Sequence, residues 1–97
     1  MMLQGFFLKT MTMYFVYAIV SQANKRIYVG MTTDLVKRLK EHNSGRTRST
    51  RAFRPWAIFY SEKYETRAQA RDREKYLKTG IGKERLKEKL AGWSPAP

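Results

Sequence analysis

Two runs of alternating aromatic and β-branched residues constrain this chain most: Tyr14-Phe-Val-Tyr-Ala-Ile-Val20 and Arg26-Ile-Tyr-Val-Gly30. Alternation with period two marks a strand with one face in a core. The link between them, Ser21 to Lys25, is short and polar, whereas a parallel pair needs a long crossover. The two runs therefore predict an antiparallel hairpin. A loop with an even number of residues puts Tyr17 and Tyr28 on one face of it. A four-residue loop, Ser21 to Asn24, makes them direct cross-strand neighbours, about 5 Å apart at Cβ. Val or Ile would serve a core equally well at both positions, so the two hydroxyls call for a reason.

The rest of the chain alternates helix signals with one more strand. Thr33 or Asp34 can cap a helix that Asn43-Ser44-Gly45 ends. Its apolar stripe is Leu35 and Leu39, and Arg38 and His42, one turn apart, flank that stripe and point toward the sheet. Trp56 to Tyr60 reads as a third strand, more apolar and more buried than the others. Thr66-Arg-Ala-Gln69 is a capping box and starts the next helix. Gly80 is its expected C′ residue, and Ala70, Glu74 and Leu77 form its inward stripe. A last helix runs from about Lys83 to Ala91 and stops at Gly92. The expected architecture is α+β: a small three-stranded antiparallel sheet flanked by helices, in the order β-β-α-β-α-α. It is one domain over residues 13–91, with an extension at 1–12 and a tail at 92–97.

Charge narrows the partner. The chain carries 20 Lys+Arg against 8 Asp+Glu in 97 residues, a formal net charge of +12. Such an excess favours a polyanion, with DNA first, RNA second, and a protein partner or oligomer left open. The segment Ser44 to Pro55 supplies Arg46, Arg48, Arg51 and Arg54 with no acid between them; Lys37 and Lys78 flank it as further phosphate contacts. Neutralising about six phosphates gives a log–log salt slope near −5 on duplex DNA. No run approaches the roughly 20 apolar residues of a membrane-spanning helix. Cysteine is absent, which excludes disulfides and thiolate metal sites and fits a cytoplasmic setting.

Single residues each have a plain reading. Glu74 can pair with Lys78 across one helical turn, or hold a hard cation such as Mg²⁺ with water and phosphate completing its shell. His42 can be a helix-end cation that suits the dipole. Tyr17 and Tyr28 can be sheet residues. Trp56 can stack on a base, but the start of a strand favours core packing.

Taken in order, Phe15-Val-Tyr17, Tyr28-Val-Gly30, Thr33 to Asn43 with Arg38 and His42, Arg54-Pro-Trp56, and Ala70 to Lys78 with Glu74 resemble the GIY-YIG nuclease family. The resemblance covers about residues 13 to 90 and is closest to short, stand-alone bacterial members. It implies that Tyr17 and Tyr28 are the two motif tyrosines, with Gly30 as the closing glycine. It implies that Arg38 and His42 are the active-site helix residues and Glu74 the ligand of one Mg²⁺ or Mn²⁺ ion. On that basis Arg38 grips the phosphate, Tyr17 deprotonates the attacking water with help from His42, and Tyr28 positions water or phosphate. The products would carry 5′-phosphate and 3′-hydroxyl ends. Two positions depart from the family pattern: Phe15-Val stands where Gly-Ile is usual, and Gly80 to Leu86 holds no asparagine. The expected function is a metal-dependent DNA endonuclease, with branched or damaged DNA, and hence repair, as candidate targets. The alternatives are a nucleic-acid-binding module without turnover and a basic RNA- or ribosome-associated protein.

Overall fold

The computed structural model describes residues 12–95. The expected extension, residues 1–12, lies outside the described residues except for Thr12. Strand β1 (Tyr14–Ser21), strand β2 (Ile27–Thr32), helix α1 (Leu35–Ser44), a 3₁₀ turn (Arg51–Phe53), strand β3 (Trp56–Tyr64), helix α2 (Arg67–Leu77) and helix α3 (Gly80–Ala91) follow in chain order. The three strands form one antiparallel sheet in the order β2-β1-β3. The fold is α+β in the order β-β-α-β-α-α, as the sequence predicts.

Local chemistry sets most boundaries. The Asp34 carboxylate accepts from the Lys37 backbone N–H at 3.0 Å and caps α1. Gly45 ends that helix at φ 88°, in the left-handed region, and the Arg46 N–H closes back on the Glu41 carbonyl at 3.1 Å. The Thr66/Gln69 capping box starts α2. Gly80 does not end α2. Lys78 is its C-cap, and Thr79 caps α3 by accepting from the Gly82 N–H at 3.1 Å, so Gly80 opens the last helix three residues before the expected start at Lys83.

The hairpin register differs from the closest pairing. Tyr17 sits opposite Gly30, and Tyr28 opposite Ile19. The phenols share a face, as expected, but lie diagonally, because the loop closes one step later. Ser21 stays paired, donating its N–H to the Arg26 carbonyl at 2.8 Å, and its Oγ accepts from the Ala23 and Asn24 N–H groups at 3.1 Å. Lys25 completes the turn at φ 68°.

Strand β1, not β3, is the buried one. It lies in the middle and runs buried from Val16 to Ser21, whereas β3 is an edge strand extending to Tyr64. A bulge between Ala18 and Ile19 of the β1–β3 ladder changes which side β3 residues face. Trp56 and Ile58 join Tyr17 and Ile19 on one side, packed by Leu35 and Leu39 of α1. Phe59 joins Val16, Ala18, Val20 and Val29 on the other, packed by Ala70, Leu77 and Leu86 of α2 and α3. Trp93, beyond α3, packs onto this second core with its ring centroid 6.2 Å from Phe59. No helix among the described residues is long and apolar enough to cross a membrane.

Candidate active site

Position 30 explains how Tyr17 is held. The Tyr17 ring lies across the backbone of Gly30, and a Cβ there would overlap the phenol and its hydroxyl. Glycine is therefore a steric requirement at this point in the sheet. With that room, the phenol reaches across to α1. Its hydroxyl lies 2.8 Å from His42 Nε2, and His42 Nδ1 lies 2.8 Å from Thr50 Oγ1. Thr50 Oγ1 donates to the Thr47 carbonyl at 3.3 Å, so it accepts from Nδ1–H. This network assigns the tautomer: Nε2 carries the lone pair and receives the Tyr17 proton.

Burial tunes both groups. His42 is fully buried, and desolvation, reinforced by the Arg38 charge, pushes it down to about 4. It is a neutral acceptor, not the helix-end cation. Tyr17 is 1% exposed, and desolvation pushes its phenol up to about 12 despite the Arg38 hydrogen bond; the Tyr28 and Glu74 charges push the same way. Arg38 Nε reaches the Tyr17 oxygen at 3.4 Å, a long contact, while Nη1 donates to Glu41 at 2.8 Å. The Glu41 bond holds Arg38 charged and lowers the Glu41 carboxyl in return. Tyr28 packs edge-on against the His42 ring at 5.0 Å and against Trp56 at 6.4 Å.

Tyr17, Tyr28, Gly30, Arg38 and His42 thus meet at one place. Beside them lies a mostly polar cleft of about 430 Å³ lined by Met31, Thr32, Thr33, Asp34, Lys37, Arg38 and Glu41. Glu74 comes from α2, on the other side of the sheet, and its charge is felt at the Tyr17 phenol. Its carboxylate is 17% exposed and pairs with Lys78 at 3.3 Å. Arg46, Arg48, Arg51 and Arg54 are exposed. Arg54 donates to the Arg51 carbonyl at 2.7 Å. Trp56 is a core residue whose Nε1–H donates to the Thr50 carbonyl at 2.8 Å.

Several supports went unseen in the sequence. Thr50 lies in the arginine segment, with nothing to mark it as the partner of a distant histidine. Asn43 pairs with both backbone groups of Trp56, accepting at 2.7 Å and donating at 3.0 Å, and so fastens α1 to β3. On the opposite face, Glu62 is gripped by the Arg73 fork at 2.8 and 3.0 Å and receives both Tyr60 and Tyr64 hydroxyls. Burial alone would raise the Glu62 carboxyl; Arg73 and the two hydroxyls outweigh it and hold it below its usual range. The parity of Tyr60, Glu62 and Tyr64 along β3 was the available signal.

A sheet bearing two phenols, a seated glycine and a helix carrying Arg38 and His42 defines a class. Residues 13–87 match the GIY-YIG catalytic domain, and the chain belongs to that family, a nuclease superfamily. Among its relatives, a UPF0213 protein of Bacillus pumilus is 37% identical over 70 residues, which is 71% of each chain. A UPF0213 protein of Staphylococcus aureus is 35% identical over 78 residues, 79% of this chain and 94% of the relative. The solution structure of a UPF0213 protein from Bacillus halodurans superposes with a TM-score of 0.51 at 26% identity, over 82% of this chain and 87% of that one.

Proposed function

We propose that this chain is a divalent-metal-dependent endonuclease that hydrolyses DNA phosphodiester bonds, with Tyr17 as general base. The hydrogen-bonded line Tyr17–His42–Thr50 carries this reading. A phenol near 12 is protonated at neutral pH, but its proton already faces a neutral nitrogen. As Tyr17 takes a proton from water, its own proton passes to Nε2, and no free phenolate has to persist. Thr50 keeps the Nδ1 side fixed throughout. A phosphodiester drawing Arg38 from Glu41 would uncover the phenol and offset the positive field that depresses His42. The forked guanidinium then donates to phosphate oxygens as charge builds in the transition state.

Glu74 is the residue that would hold the metal. No three His, Asp or Glu residues cluster among the described residues. A single carboxylate suits Mg²⁺ or Mn²⁺, ions that keep water and complete their shell on substrate phosphate. Lys78 is 52% exposed and free to turn away from it. Such an ion would supply charge relief at phosphorus and at the leaving oxygen. Lys37, Lys78 and the four loop arginines would grip the backbone. Residues 13–91 would act as the catalytic unit, in the cytoplasm.

The near-complete burial of Tyr17 favours a second assignment, in which half-buried Tyr28 touches the water and Tyr17 only braces His42. Cleavage of plasmid and branched DNA in Mg²⁺ tests both. Glu74→Gln should abolish cleavage while DNA binding persists. The tyrosine acting as base should lose about 10²–10⁴ in kcat as Phe, with KM little changed. Salt-sensitive binding with no cleavage by the wild type would leave a binding module, and preference for structured RNA a different partner.

A further inference from the structure

Lys25 and Arg26 at the hairpin tip, Ile27, and Lys83 and Lys87 on α3 line a second cleft of about 420 Å³. Four of its five lining residues are cations and none is an acid. Lys83 and Lys87 stand one turn apart on the same face of α3. Glu84 pairs with Lys87 at 3.5 Å, but the side chains are 70% and 63% exposed, so the pair restrains the lysine little. The Arg26 guanidinium lies 4.2 Å over the Phe53 ring, which carries the cationic surface on toward Arg51 and the arginine segment. Like charges so grouped repel one another and gain nothing from folding; a polyanion relieves them. An open cleft spanning two elements suits an extended backbone better than one small anion.

We infer that this cleft takes the sugar–phosphate backbone of the duplex DNA on which the Tyr17 site acts, as a contact separate from that site; the inference rests on the endonuclease reading. Arg26, the residue before β2, lies four residues from Gly30, about 13 Å at 3.3 Å per residue of extended chain. At 3.4 Å per phosphate along one strand, that spacing is on the order of four phosphates between the Arg26 end of the cleft and the Tyr17 site.

The test is binding of the full chain to a duplex of roughly 20 base pairs in EDTA, which removes cleavage, across a salt series. Lys83→Gln and Lys87→Gln should each flatten the log–log salt slope by about 1 and weaken binding several-fold at 0.1 M salt. Arg85→Gln, the same charge loss about 160–200° round the same helix, should leave the slope unchanged. Equal slopes for Lys83→Gln, Lys87→Gln and wild type would overturn the inference, as would equal losses for Arg85→Gln. Lysine dependence on structured RNA with none on DNA would overturn the choice of duplex DNA. A flattened slope with no wild-type cleavage in any divalent ion would uphold the contact and remove the endonuclease reading instead.

Discussion

Between pH 6.5 and 4, acidification should weaken this protein chiefly through one residue. His42 is the single histidine, fully buried, and held at about 4 against an ordinary 6.5. Above pH 6.5 it is neutral in both states and stability does not depend on it. Between 6.5 and 4 the unfolded chain binds a proton that the folded chain refuses, so stability falls as pH falls. A gap of about 2.5 pH units, at about 1.4 kcal/mol each, is about 3 kcal/mol lost by pH 4. That is a large share of the 5–15 kcal/mol typical of a domain. Urea denaturation of wild type and His42→Gln at pH 7, 6, 5 and 4.5 isolates the effect, since the glutamine does not titrate while the carboxylates are common to both. Wild type should lose stability faster over this window, by about 1 kcal/mol per pH unit near pH 5. The imidazole Cε1 proton, the only one of its kind, should titrate far below 6.5. Parallel profiles for the two proteins, or an imidazole titrating between pH 6 and 7, would refute the argument.

Gly30→Ala should destabilise by about 1–3 kcal/mol through overpacking and cut kcat, since the new methyl displaces the phenol from His42; thermal unfolding and cleavage kinetics read the two effects. Asn43→Ala should cost about 1–3 kcal/mol in urea denaturation, because the Trp56 backbone loses both partners at a partly buried site. Glu62→Gln should cost about 1–2 kcal/mol at pH 7, with the lower end favoured by the exposure of Arg73. The Glu62 carboxyl is held low, so this contribution exists above its unfolded value and fades as pH falls through the folded one; the wild-type and variant melting curves should converge at low pH.

Features written in a few adjacent residues were legible in the sequence. The Asp34 cap, the Gly45 stop, the Thr66/Gln69 box and the shared face of Tyr17 and Tyr28 all depend on local spacing. Features that depend on a distant partner were not. The register turned on Ser21 folding the loop onto its own hydroxyl and Lys25 adopting a left-handed turn. Gly80 could end one helix or begin the next, and Thr79 decided it. Buried rank followed from strand order, which placed β1 between two edges. The five residues that meet around His42 could be named from their motifs, but the neutral state of His42 needed Thr50 and the core.

The phenol seated over a bare backbone ties two positions of the chain into a single heritable unit. Neither Tyr17 nor Gly30 can drift alone: a side chain gained at 30 evicts the aromatic at 17, and a smaller residue at 17 leaves a hole over 30. Descendants should therefore change both together or neither, so the pair records how the sheet is packed whether or not the chemistry is kept.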